Sequence, residues 1–387
     1  MSNNNLSRRR FLKAGGLAAV STTLLRDTAW SNQDRSPTLY IGTYTVDTAS
    51  EGIYTYRLNS DTGELKKVHS IMSVNPSFLA LDRRRRFMYA VNEVPEFEGK
   101  PGGAVSAYAI ERDGKLKFLN QQASQGADPC HLTVDRDRRN LLVANYTGGN
   151  LALLPIQRNG TLGPVADLKQ HEGSGPKEQQ KGPHAHCIIL DASERHALAA
   201  DLGIDRVMVY RFDPATRKLR PGKQPSESMK AGAGPRHLTL HPNGRFLYVI
   251  NELDSTMTTL EYNAQAGTLA TIDTTSTLPA DFSGASYCAD VHVSPSGNYL
   301  YGSNRGHNSI VVFALDRRSG KPKLVEHVST EGNWPRNFVI DPTGQFLLVA
   351  NQRSNNVVVF RIDARTGRLR PAGQTAEMPA PVCLKFA

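Results

Sequence analysis

Short strands of apolar residues, each closed by Asn or Asp, recur along the whole chain. They run Phe87 to Asn92, Leu141 to Asn145, Ala197 to Asp201, Phe246 to Asn251, Tyr299 to Asn304 and Phe346 to Asn351, with closing residues 47 to 56 positions apart. Leu39 to Thr43 is a further copy at the front, which makes seven. A second alternating strand stands beside the first in every unit: Pro76 to Asp82, Pro129 to Asp135, His184 to Asp191, Pro235 to His241, Cys288 to Ser294, Pro335 to Asp341 and Pro381 to Ala387. Gly, Pro and Asn follow where hairpins need them, as in Pro242-Asn243-Gly244 and Pro342-Thr343-Gly344. A third strand (Ala104 to Ile110, Ser309 to Leu315) and a shorter, more polar fourth (Lys115 to Asn120, Lys323 to His327) complete each unit. A repeat of about 50 residues built from short strands predicts an all-β, seven-bladed β-propeller, because one such sheet cannot bury both its faces alone. The chain opens on one kind of strand, at Leu39, and ends on the other, at Pro381. The C-terminal strand is therefore expected to complete the N-terminal blade and close the ring.

Composition changes this picture little. With 21% charged and 39% hydrophobic residues the 387-residue chain suits one globular repeat domain, placed at 38–387, and no apolar run reaches the roughly 20 residues of a membrane span. The front differs. Ser7-Arg8-Arg9-Arg10-Phe11-Leu12-Lys13 followed by a mild apolar stretch, Ala14 to Leu25, resembles a twin-arginine export signal. Residues 1–31 are read as that signal, which implies the twin-arginine export machinery as a partner and a periplasmic or secreted protein. This segment carries five basic residues and one acidic, so the formal +10 leaves +6 for the remainder, with no Lys/Arg-rich helix or aromatic-basic motif of a nucleic-acid binder. Cys130, Cys187, Cys288 and Cys383 fall in the same kind of strand in different units. Because twin-arginine substrates fold before export, buried free thiols are expected rather than disulfides.

In a propeller the strands of the second set line the central channel, and their starts lie beside the ends of the first set. Side chains at these two positions converge on one mouth from all seven units. The charged or polar ones include Glu93, Tyr146, His186, Arg236, Glu252, Arg305, Arg336 and Gln352, with His237 adjacent. Three arginines against two glutamates leave room for an anionic ligand. Arg236 and Glu252 also suit a plain ion pair within one blade, and the repeated Asn residues suit turn caps. His184 and His186, on one strand face, could with His131 and His237 suggest a metal, but nothing fixes a ligand geometry, so neither a metal nor another cofactor is expected.

Several stretches resemble the seven-bladed lactonase family, which includes bacterial 6-phosphogluconolactonase and the fungal carboxymuconate-lactonizing cyclase. They are Ile41 to Thr45, Pro183 to His186, Gly234 to His237 followed by His241 to Glu252, Ser303 to Arg305, and Pro335 to Asn337. The resemblance covers about 38–387 and implies a propeller lactonase whose functional cluster is His186, Arg236, Glu252 and Arg305; the other mouth positions, Arg336, Glu93, Tyr146 and Gln352, with His237, are expected as substrate contacts. Metal-independent hydrolysis of a sugar lactone would need a base for water, a donor for the oxyanion and a proton for the leaving alkoxide. Glu252 and His186 both qualify as base. No Gly-x-Ser-x-Gly elbow is present to offer a serine nucleophile. Export favours an unphosphorylated aldonolactone over a cytosolic phosphorylated one. The same residues would also serve a lactonizing or isomerising enzyme, and the ring alone would serve a non-catalytic binding propeller.

Overall fold

The structure is a computed structural model that describes residues 36–387; the expected export signal at 1–31 lies outside the described residues. Seven four-stranded antiparallel sheets follow one another, each ordered from an inner strand outward in chain order except the first. That first blade takes Pro381–Phe386 as its inner strand, paired with Thr38–Thr43, then Gly52–Leu58 and Leu65–Met72. The ring therefore closes through the C-terminal strand, as the strand order at the two chain ends predicts. The outer strands read as edge strands: Leu65–Met72 and Pro322–Ser329 consist of exposed and half-buried positions, while the second strands of most blades are buried throughout. Among the described residues no helix is long and apolar enough to cross a membrane.

Neighbouring blades bury their faces against each other. Leu39 and Ile41 of blade 1 pack with Phe346, Leu348 and Leu384, and Phe246 and Tyr248 of blade 5 pack with Leu300 and Phe313 of blade 6. The second strand supplies a repeated polar fastening as well. Tyr40, Tyr89, Tyr248 and Tyr301 each donate a hydroxyl hydrogen bond, 2.8–3.1 Å long, to the carbonyl of Gly114, Gly160, Gly320 and Gly367 in the outer hairpin of the next blade. These turns need glycine for two reasons: Gly160 has φ +90°, and a Cβ there would lie 2.1 Å from the Phe87 ring. The same contact crosses the closure, where Phe346 of blade 7 covers Gly63 of blade 1.

The strand-end amides hold the segments between blades. Asn92, Asn145, Asn304 and Asn351 donate to the carbonyls of Val74, Ser124, Thr277 and Thr330 at 2.7–3.2 Å, and Asp201 accepts from the His184 and Gly203 amides. Their turn-capping role is thus structural. Asn251 instead engages the Thr256 and Thr258 hydroxyls. All four cysteines are buried free thiols, in line with the expectation.

Removing Pro381–Ala387 would delete the strand that carries buried Val382, Cys383 and Leu384. Each buried apolar side chain lost costs about 2–5 kcal/mol, which together rivals a domain's whole stability of about 5–15 kcal/mol. The truncated chain is expected to show no cooperative thermal transition by circular dichroism. A melt like that of the intact chain would show that ring closure is dispensable.

Candidate active site

The inner strands are not regular where they begin. In blades 3, 4, 5 and 7 the pairing with the second strand shifts register between Pro129 and His131, Ala185 and Cys187, Pro235 and His237, and Pro335 and Asn337. In blade 1 the pairing skips Val382, and in blade 6 it skips Ala289 and Asp290. The residues left unpaired include Cys130, His186, Arg236 and Arg336. A β-bulge re-aims the side chain it carries. Here it turns His186, Arg236 and Arg336 toward the upper mouth, where the ends of the second strands deliver Glu93, Tyr146, Glu252 and Arg305.

Glu252 is the centre of this mouth. Its Oε2 lies 2.9 Å from Arg236 Nε and 2.8 Å from Arg305 Nη2. Arg236 also donates to the Ala289 carbonyl, and Arg305 to the carbonyls of Tyr287 at 3.2 Å and Cys288 at 3.0 Å. Both guanidiniums are buried, so their hydrogen bonds and the shared carboxylate offset the cost of desolvating them. Burial pushes the Glu252 carboxyl up, yet Arg305, Arg236 and Arg336 outweigh it and hold the group below its ordinary value. Burial brings Arg305 down to about 10 against the pull of Glu252.

A second cluster stands across the mouth. Glu93 accepts from Tyr44 at 2.8 Å and from the Ser77 hydroxyl, and lies 3.8 Å from Arg336 Nη2. Burial alone would lower Arg336, but Tyr44, Glu93 and Glu252 reverse this and raise it above its ordinary value. Arg336 also sits over the Tyr44 ring and Arg305 over Trp334, at 5.3 and 5.4 Å.

His186 lies between the clusters. Its Nδ1 is 3.7 Å from Cys130 Sγ, and the Tyr146 ring meets it edge-on at 5.3 Å. Burial and the charges of Arg236 and Arg336, with His237 close by, hold its pKa well below the ordinary value, so the imidazole is neutral at neutral pH. Tyr146 is in turn stacked on His184, whose Nδ1 is 3.0 Å from the Tyr146 carbonyl. Burial pushes the Tyr146 hydroxyl up to about 12.

Of the residues singled out in the sequence, His186, Arg236, Glu252 and Arg305 converge, and Glu93, Arg336 and Tyr146 join them. His237 is one layer lower. The bulge at Arg236 directs it to the floor of the mouth, where its ring lies 5.4 Å from His186 and its Nδ1 is 2.8 Å from Asp290. Gln352 occupies the matching position in blade 7 and its amide nitrogen of the backbone bonds the Trp334 carbonyl, with no hydrogen bond linking it to the cluster. Tyr44, Trp334 and Asp290 were missed. Tyr44 was within reach, since it follows the first copy of the repeated strand as Glu93 follows the second; Trp334 and Asp290 carried no signal of their own. Among the described residues no three of His, Cys, Asp and Glu are placed to hold a metal ion.

Residues 38–386 match the family described as Lactonase, 7-bladed beta-propeller. The chain belongs to this lactonase family. It is 39% identical over 352 residues to a 6-phosphogluconolactonase of Bacillus subtilis, spanning 90% of this chain and 97% of that one. A 6-phosphogluconolactonase of Formosa agariphila is 34% identical over 315 residues, or 78% of this chain and 86% of the other. Among solved structures, the periplasmic gluconolactonase PpgL of Pseudomonas aeruginosa superposes with a TM-score of 0.86 at 33% identity, over 91% of this chain and 99% of that one. The enzyme is a lactonase hydrolase acting on a small lactone. In this lactonase, Glu252→Gln leaves two buried guanidiniums without a carboxylate, which costs about 3–5 kcal/mol of stability. It is also expected to cut kcat/KM by about 10²-fold. Denaturant melts and initial rates on the same preparation check both, and wild-type values in each would remove Glu252 from the centre of the site.

Proposed function

We propose that this lactonase hydrolyses an unphosphorylated sugar lactone outside the cytoplasm, with His186 as the base that activates water. The observation that carries the mechanism is the unequal state of the two candidate bases. Glu252 spends one oxygen on two guanidiniums and is held ionised, which suits it to orient them and makes it a poor proton acceptor. His186 is neutral, braced by Tyr146, with Nδ1 turned to Cys130, which leaves Nε2 for a water. The water oxygen attacks the lactone carbonyl carbon as His186 takes its proton, and Arg236 and Arg305 hold the resulting oxyanion. Collapse breaks the ring C–O bond, the imidazolium returns its proton to the leaving alkoxide, and a hydroxy acid forms whose carboxyl releases a proton to solvent.

Two observations support the unphosphorylated substrate: the export-like motif at Ser7 to Lys13, and the likeness to a protein described as a periplasmic gluconolactonase. A 6-phosphorylated lactone is the second reading, favoured by the excess of three guanidiniums over two carboxylates at the mouth. Acid release measured in a pH-stat with glucono-, galactono- and 6-phosphoglucono-lactone, each corrected for spontaneous hydrolysis, separates them. The unphosphorylated lactones are expected to give the higher kcat/KM; preference for the phosphorylated one would select the second reading.

The base must be unprotonated to act, and the folded His186 pKa lies below 6.5. Activity is therefore expected to be flat through neutral pH and to fall only as the pH drops through that lower value. In His186→Ala the acid limb should vanish with a loss of about 10²-fold or more in kcat; an unchanged limb would assign the base elsewhere. For location, replacing Arg8 and Arg9 with lysine is expected to leave the protein in the cytoplasmic fraction, and unaltered export would discard the twin-arginine reading.

A further inference from the structure

Below the catalytic mouth the channel is nearly closed by one layer of inward side chains, among them Phe78, His131, His237 and Asp290. The His131 ring lies 4.1 Å from Phe78 and 5.4 Å from His237. Beneath this layer the channel opens again into a cavity of about 380 Å³ at the opposite face of the ring. Its walls come from the next inward position on each inner strand: Thr133, Thr239, His292 and Lys385, all half-buried, with Leu81 and Phe386 as apolar neighbours. None of His186, Arg236, Glu252 or Arg305 reaches it.

The two oppositely charged groups of this cavity differ in how far they are engaged. Asp290 is the carboxylate at its boundary, and its oxygens are already engaged. Oδ1 faces His237 Nδ1 at 2.8 Å and accepts from the Val291 amide at 2.9 Å. Oδ2 faces His292 Nε2 at 3.0 Å and accepts from Asn337 Nδ2 and from the Phe338 amide at 3.3 Å. Five donors spread its charge. Lys385 has no such balance: among the described residues no carboxylate pairs with it, and its ammonium rests 4.6 Å over the Phe78 ring. An ammonium held in a concave, partly apolar site focuses a positive potential on the cavity. The hydroxyls of Thr133 and Thr239 and the imidazole of His292 add hydrogen-bonding groups on the same wall.

We propose that this opposite mouth is a second binding site, one that takes a small oxyanion, either a carboxylate or a phosphate group, on Lys385 with His292, Thr133 and Thr239. The site stands whatever lactone the catalytic mouth accepts. Two sources share the required chemistry: inorganic phosphate, and the hydroxycarboxylate that a lactonase releases. Titration calorimetry of the full chain with inorganic phosphate and, separately, with gluconate distinguishes them. At least one anion is expected to bind, and Lys385→Met is expected to weaken that binding tenfold or more while leaving kcat and KM for the lactone unchanged.

Because anions also suit the catalytic mouth, a second measurement reports position. In the wild-type protein the imidazole resonances of His292 should shift on titration with an affinity matching the calorimetry. Binding of phosphate alone assigns the first source, and binding of gluconate the second. Failure of both anions to move His292, or equal affinity in Lys385→Met and wild type, would overturn the proposal.

Discussion

The pairing of Thr38–Thr43 with Pro381–Phe386 is the constraint on which everything else depends. Each blade is a small sheet that must cover both faces, and only a closed ring gives every blade two neighbours. Blade 1 contains no inner strand until the last residues of the chain supply it. With that strand in place Phe346 covers Gly63, Leu384 joins Leu39 and Ile41, and the seven inner strands face one axis. Convergence of side chains from distant parts of the chain follows from closure. Glu93 and Arg336, 243 positions apart in sequence, then stand 3.8 Å apart at the mouth.

Closure alone would aim alternate residues of each inner strand across the channel, as they are in the layer of His131, His237 and Asp290. Register breaks interrupt this alternation at the upper end of six blades. A residue that would otherwise face a neighbouring blade is turned into the mouth, and that is where His186, Arg236 and Arg336 stand. The price is a concentration of like charge. Three guanidiniums are held in a mostly buried mouth because Glu252 and Glu93 are placed among them and because the Ala289 carbonyl accepts from Arg236 and those of Tyr287 and Cys288 from Arg305. In the proposed mechanism the surplus positive charge meets the oxyanion that forms during reaction, while burial, together with the same field, keeps the neighbouring histidine neutral.

The architecture was legible because its cause is local and repeated. The strand from Phe87 to Asn92 recurs with its aromatic start and its amide end, and both features have structural work: the aromatic covers the next blade's glycine turn, and the amide holds an interblade segment. The four central residues were legible through alignment of those strands and through family resemblance. The register shifts were not, since a bulge changes one side chain's direction without altering composition or period. That is why Arg236 and His237, adjacent in sequence and both expected at the mouth, lie on different layers. Asp290 was invisible for a related reason: His237 and Asn337 come from the two flanking blades, and only the packing of those blades brings them to the carboxylate that His292 of its own strand also meets.

The most direct measurement is a crystal structure of the enzyme with a non-hydrolysable lactam analogue of a six-carbon sugar lactone. The analogue is expected in the upper mouth with its carbonyl oxygen about 2.7–3.1 Å from guanidinium nitrogens of Arg236 and Arg305. A water is expected between the carbonyl carbon and His186. An analogue bound with its carbonyl away from both arginines, or seated only in the opposite mouth, would contradict this mechanism.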